Sequence, residues 1–236
     1  MLILSLDTSC PHASAALCSD DETLACARVG EDGTHTQLLL PLIDTLFKST
    51  NKTVSDVDLF ALTVGPGSFT GVRVAVSVVK GLAFAKNKPC APISSLEANA
   101  ARLEETAKEG ALVIPCMDAR RNQVYNAIFK KESGRLARLC PDRLISLDEL
   151  KRELENADHF MLCGDAYALS KDALGELSGF KETPDEFILP FAPSVAKCAL
   201  RLSEEAPASL CSPDELLPIY LRDSQAEQTK KSKNAQ

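Results

Sequence analysis

The sequence predicts an α/β protein of two similar lobes, each running strand, strand, strand, helix, strand, helix. Three observations carry that prediction. The chain opens on apolar stretches of strand length whose links fit only an antiparallel meander. Residues 59–85, LFALTVGPGSFTGVRVAVSVVKGLAFA, pass from a short β-rich run through a Gly-Pro-Gly break into a long apolar helix. LVIPCMD at 112–118 then restarts the opening pattern of LILSLD at 2–7, an apolar strand closing on aspartate.

Taken in order, residues 2–7, 12–17 and 24–29 read as strands, with turns at 8–11 and 20–22. After a polar turn at 31–34, residues 36–49 form a helix carrying Leu38, Leu39, Leu42, Ile43, Leu46 and Phe47. Leu40 lies off that stripe, and Pro41 kinks the helix or delays its start. Residues 59–64 make the next strand, and Ser68 or Thr70 caps a helix over 70–85. A strand at 90–93 leads into a helix from Ser94 or Ser95 to about residue 108. Laying Asp7 on Asp118 without a gap places the next strands at 123–128 and 135–139, with a turn at 131–133. A helix at 147–154, a strand at 159–163 and a helix after Gly164-Asp165 complete the repeat. Residue identity between the halves is negligible; only the order of elements recurs.

Residues 193–205 read as a further helix with Val195, Cys198, Ala199 and Leu202 on one face. A loop follows at 207–214, and 215–221 ends the ordered chain. The polar stretch 223–236 is expected to be disordered. The domains are therefore 1–108 and 109–222, with the last segment free to pack back on the first lobe. Two such lobes around a cleft are the actin-like (ASKHA, RNase H-like) architecture.

Composition narrows the function. The 236 residues carry a net charge of −7 and no tryptophan, which argues against a free-standing nucleic-acid binder. Met1 leads straight into LILSLD without a basic or long apolar leader, and no apolar run reaches membrane-span length. The nine cysteines include no C-x-x-C pair and lie mostly among apolar neighbours. These features predict a cytoplasmic chain with reduced thiols.

Each candidate motif also has a simpler reading. Gly65-x-Gly67-x-x-x-Gly71 is no P-loop, since no Lys-Ser/Thr follows, and it is one residue too long for a dinucleotide fingerprint. Asp7-Thr8-Ser9 sits where actin-like ATPases place their first phosphate loop, yet the same residues make an Asx turn bracing a hairpin. The histidines His12, His35 and His159 fit no metal pattern, and no G-x-S-x-G elbow occurs. Asp118-Ala119-Arg120-Arg121 reads as a surface salt-bridge cluster.

The helix at 70–85 is apolar nearly all round. Val72, Val76, Val79 and Ala83 form one stripe, Val74, Val78 and Leu82 widen it, and only Arg73 and Lys80 are charged. It is either a central helix buried in its own chain or one that covers its sheet and also meets another subunit. On the second reading it lies beside the helix at 36–49 in a four-helix contact. The interface residues expected there are Leu39, Leu42, Ile43, Leu46, Val72, Val76, Val79 and Ala83, with Val76 and Leu42 at the centre.

DTSCPHASAAL, HTQLLLPLI, GPGSFTGVRVAVSVVKGLA, ISSLEANA, MDARRNQVY and PIYLR together resemble the TsaB family, also called YeaZ, from Met1 to about Arg222. The resemblance implies a non-catalytic scaffold or activating subunit that stabilises TsaD, the transferase that makes threonylcarbamoyladenosine beside the tRNA anticodon. It also implies a TsaD heterodimer, the ATPase TsaE as a further partner, a homodimer when alone, and tRNA contact only through the complex. Ser95 and Asn99 stand at the positions of TsaD's His-x-x-x-His metal pair, so no metal, catalytic residue or cofactor is expected. Weak nucleotide binding at the complex interface stays open. The alternatives are an actin-like ATP-dependent phosphotransferase and a peptidase homologue of the M22 type.

Overall fold

The computed structural model describes residues 1–30, 35–189 and 191–222. The turn expected at 31–34 and the tail expected at 223–236 lie outside the described residues. Strand β1 (Leu2–Asp7) pairs antiparallel with β2 (Ala13–Ser19), which pairs with β3 (Glu22–Val29). Helix α1 (His35–Thr50) follows, with Pro41 inside it. Strand β4 (Leu59–Thr63) lies parallel to β1, and helix α2 (Phe69–Phe84) is capped by the Ser68 hydroxyl, which accepts from Gly71 N. Strand β5 (Cys90–Ile93) closes a sheet of order β3-β2-β1-β4-β5.

The strand period of two divides this sheet between two cores. Leu4, Leu6, Leu17, Phe60 and Leu62 face α1 and α2, which lie side by side. Ile3, Ala16, Leu59, Ala61 and Ala91 face the opposite way. Helix α3 (Ser95–Ala101) is capped by Ser94 and stops seven residues short of the expected end; turns then carry Leu103 and Ala107 into the core between the lobes.

The second lobe departs from a plain repeat. Strand β6 (Leu112–Asp118) pairs with β7 (Gln123–Asn126) at one end and with β8 (Phe129–Glu132) at the other. The strand expected at 123–128 thus ends at Asn126, and β8 runs into the turn expected at 131–133. The two strands have different outer neighbours: β9 (Arg135–Arg138) beside β8, and β10 (Arg143–Ser146) beside β7. Helix α4 (Leu147–Leu154), strand β11 (Phe160–Cys163), helix α5 (Tyr167–Leu174) and the short β12 (Phe180–Lys181) complete the lobe.

Helix α6 (Ala192–Glu205), grouped by sequence order with the second lobe, packs on the first sheet. Two serines inside otherwise apolar strands anchor its start. Ser14 Oγ accepts from Ala192 N at 3.0 Å, and Ser5 Oγ donates to Ala192 O at 2.8 Å. A helix N-terminus has amides without internal partners, and a buried one needs such an acceptor. Beyond α6, Cys211 bridges Cys90 of β5, Leu216 enters the core under α2, and Ile219 N donates to Val64 O at 2.7 Å. This C-terminal strap returns to the first lobe. Among the described residues, no helix is long and apolar enough to cross a membrane.

Candidate partner-binding face and interlobe cleft

The cleft between the lobes is a cavity of about 550 Å³ whose walls include Ser9, Gly67, Asp118, Arg121, Asp165 and Arg222. Its first loop is turned inward. Asp7 is 1% exposed, and its Oδ1 accepts from Ser9 N at 2.9 Å, Ser9 Oγ at 2.7 Å and Thr63 Oγ1 at 2.7 Å. Thr8 Oγ1 donates to Gly71 O at 2.8 Å. The carboxylate and both hydroxyls therefore have partners within the fold, as an Asx turn predicts.

The Gly-Pro-Gly loop is likewise occupied by its own chain. Gly65 and Gly67 have φ of 118° and 148°, and a Cβ on either would lie 2.3 Å from a carbonyl oxygen, that of Ile219 or of Ser9. Ser68 N donates to Ser9 O at 2.7 Å, and Ser95 N to Gly65 O at 2.9 Å. These glycines let three backbones meet, and the amide at Ser68 is already paired.

The second lobe's loop repeats the theme with less closure. Asp118 Oδ1 accepts from Arg120 N at 2.7 Å, and Arg120 Nη1 lies 3.1 Å from Asp118 Oδ2 in an exposed pair. Asp118 N donates to Asp165 Oδ1 at 3.0 Å. Burial pushes the Asp165 carboxyl up to about 6, and the charges of Asp118 and Asp7 add to it. Carboxylates at the base of a cleft disfavour a polyphosphate unless a cation intervenes. Arg222 reaches across to donate to the Ala119 carbonyl and the Gln123 side chain, tying the strap to the second lobe.

Ser95 and Asn99 are both fully buried on α3. Asn99 Nδ2 donates to Ser95 O at 2.9 Å, while Ser95 Oγ and Asn99 Oδ1 have no hydrogen-bond partner among the described residues. A neutral hydroxyl and a neutral amide do not fit a transition metal, which takes imidazole, thiolate or carboxylate ligands. The donor set does not match the metal pair that the resemblance places here.

The outer face of α1 and α2 corrects the choice of interface residues. Leu39, Leu42, Ile43, Leu46, Val72, Val76, Val79 and Ala83 are at most 8% exposed and form the core beneath the helices. They are the stripe that covers the chain's own sheet and are out of a partner's reach. The second stripe, Val74, Val78 and Leu82, is half-buried and faces outward, with exposed Ser77 and Gly81 beside it. Leu40 and Phe84 are 51% and 66% exposed. At the start of α2, Phe69 stacks on Tyr220 at 4.7 Å, and Arg73 lies 3.8 Å over Phe69 while its Nε donates to Tyr220 Oη at 2.7 Å. Leu217 and Ile219 of the strap are both exposed. Asp165, Arg222 and this aromatic stack escaped the sequence reading; the Gly164 that follows β11, as Gly65 follows the first-lobe strand, was the available signal for Asp165.

Residues 32–228 match the family model described as TsaD, tRNA N6-adenosine threonylcarbamoyltransferase. The chain is 30% identical over 231 residues to a Bacillus subtilis protein named tRNA threonylcarbamoyladenosine biosynthesis protein TsaB, covering 96% of each. A Haemophilus influenzae protein of the same name is also 30% identical over 231 residues, covering 94% of each. The solved structure of YeaZ from Pseudomonas aeruginosa superposes with a TM-score of 0.78 at 26% identity, covering 93% of this chain and 99% of that one. With the two-lobed fold, the paired Asp7 and Asp118 turns and near end-to-end likeness in view, this chain belongs to the TsaB, or YeaZ, family within the broader TsaD-like group.

Proposed function

We propose that this chain is a non-catalytic subunit in the biosynthesis of threonylcarbamoyladenosine in tRNA, and that it binds and stabilises a TsaD-type catalytic subunit. The observation that carries the docking mode is Gly81. It lies within α2 with nothing within 4 Å of where a Cβ would stand. A glycine inside a helix costs roughly 0.5–1 kcal/mol relative to alanine, and no contact in this chain requires it. Beside Ser77, and flanked by Val74, Val78 and Leu82, it lets the backbone of another helix approach closely. Because the proposed partner shares the lobe fold, the same face serves a two-fold homodimer and a pseudo-two-fold heterodimer.

The catalytic alternatives have less support. A phosphotransferase needs free amides and hydroxyls in its phosphate loops, whereas the Ser9 and Ser68 amides and the Thr8 and Ser9 hydroxyls are bonded within the chain. A metallopeptidase needs a ligand set, which Ser95 and Asn99 do not supply. The ATPase TsaE and tRNA enter this reading as partners of the assembled complex, in the cytoplasm. The test is co-purification with TsaD and TsaE, followed by tRNA modification assays omitting each component in turn. Full modification without this chain, or modification by this chain alone, would overturn it.

A further inference from the structure

Cys90 and Cys211 face each other across the only contact by which the strap joins the edge of the first sheet as a β-bridge among the described residues. Cys90 N donates to Cys211 O at 2.9 Å and Cys211 N to Cys90 O at 3.0 Å. Two residues that exchange both hydrogen bonds in an antiparallel pair have Cα atoms about 5.5 Å apart and side chains on the same side. That Cα separation is within the range a disulfide spans, about 4.4–6.8 Å, whereas the Cβ atoms of such a pair stand up to about 5.5 Å apart and must close to about 4.5 Å, so forming the bond draws the strap towards β5. Both side chains join the core under α2, with Cys90 fully buried and Cys211 half-buried.

We propose that Cys90 and Cys211 are a disulfide-forming pair that locks the C-terminal strap onto the first lobe under oxidising conditions. The oxidant is of the low-molecular-weight disulfide class. Cys211 Sγ, the more accessible sulfur, attacks one sulfur of that molecule as a thiolate and expels one thiol equivalent. Cys90 Sγ then attacks Cys211 Sγ in the mixed disulfide and expels the second. One S–S bond forms between the two residues, the external S–S bond is broken, and its two sulfurs carry away the two protons.

The surroundings set the pace of this exchange. Burial pushes the Cys90 thiol up to about 12, with the Cys211 sulfur adding to it. Burial and Glu215 raise Cys211 as well, while the Lys80 ammonium, which donates to Asp214 O at 3.2 Å, favours both thiolates. A thiol held in its protonated form reacts slowly. Oxidation is therefore gated by transient unzipping of residues 211–219 from β5 and β4, and the cross-link prevents that unzipping from recurring. No partner protein is needed.

The experiment incubates the full chain with oxidised glutathione, blocks remaining thiols by alkylation, and maps non-reduced peptides by mass spectrometry. The expected product is a Cys90–Cys211 cross-linked peptide, two hydrogens lighter than its parts and reversed by dithiothreitol. The cross-linked loop is long, so the thermal midpoint should rise by about 5 °C or more. Cys211→Ser should abolish both the cross-link and the shift while leaving Cys90 alkylated, and Cys211→Ala serves if the serine variant folds poorly. If Cys211 stops at the glutathione adduct in a natively folded chain while Cys90 stays free, or if another pair cross-links in preference, the proposal fails. Because the readout uses the isolated chain, its failure leaves the docking reading intact, and loss of TsaD binding leaves this one intact.

Discussion

The cleft and the outer face of α1 and α2 differ in what their groups have left to offer. In the cleft, Asp7 has three donors on one oxygen, Ser68 N is bonded to Ser9 O, and the glycines are filled by neighbouring carbonyls. On the outer face, Leu40 and Phe84 lie in solvent and Gly81 has open space around it. The cleft loops are closed on the chain itself while apolar helix surface stays uncovered, and it is the uncovered surface that the proposed docking uses. Each half of that contrast can be tested separately.

The largest effect is expected on the outer face. Val78→Glu combined with Leu82→Glu places two charges on the outward stripe, and burying them unpaired against a partner costs several kcal/mol of association. Light scattering and a TsaD pull-down should show loss of pairing while circular dichroism stays native. Val76→Glu is the contrasting variant: Val76 is core, 6% exposed, so this change should unfold the first lobe. Retained pairing by the doubly charged surface variant would move the interface elsewhere.

In the cleft, Asp7→Ala strips one acceptor from three buried donors and should lower unfolding free energy by about 3 kcal/mol in urea titrations. Asp7→Asn keeps an oxygen for them and should lose about 1 kcal/mol, with TsaD binding and tRNA modification preserved. Modification abolished in a well-folded Asn variant would mean that the cleft still works on a ligand.

Two carboxyls predict opposite pH dependences. Asp165 has its folded value raised to about 6 from 3.8, chiefly by burial. Below the unfolded value both states hold the proton. As pH rises towards 6 the unfolded chain releases it first, so stability falls by about 3 kcal/mol and then levels. Asp165→Asn should flatten that slope, since its oxygen still accepts from Asp118 N. Glu104 behaves the other way: burial raises it, but hydrogen bonds and charge from Arg201, with Lys197, hold it at about 2. Its contribution is present above 4.5 and lost as pH falls towards 2. Thermal melts of wild type, Asp165→Asn and Glu104→Gln from about pH 2 to about 7 separate the two.

Much of the fold was legible because apolar strands and capped helices declare themselves locally. Strands β1, β5 and β6 and helix α4 lie where the sequence places them, and the Asp7 turn follows from its side-chain chemistry. What was lost depended on long-range contacts. Strand β10 runs straight into the α4 cap at Ser146 without a turn residue, and the sequence reading passes from 139 to 147 without assigning it. The break between β7 and β8 arises because one strand serves two neighbours, which no local pattern signals. Helix α6 carries an apolar face, but nothing along the chain says which sheet it covers. Most instructive is α2: both of its stripes are apolar, and helical periodicity alone does not say which faces inward. The Ser68 cap and the Gly67–Ser9 contact fix the first turn, and that rotation turns Val72 and Val76 in and Val74 and Val78 out.

The smallest effect is the one that most directly separates a docking surface from a merely apolar helix. Gly81→Ala adds a methyl group into open space on the isolated chain. It also removes backbone freedom from the unfolded state, so stability should rise by about 0.5–1 kcal/mol. If a partner helix packs against Ser77 and Gly81, the same methyl enters the closest approach of two backbones, and association should weaken while the free chain becomes more stable. Gly81→Leu should enlarge the second effect without reversing the first, leucine being a good helix former. The measurements are thermal unfolding of the free variants and titration against TsaD. A stabilised variant whose affinity for both TsaD and itself is unchanged would show that α2 approaches no partner at this residue.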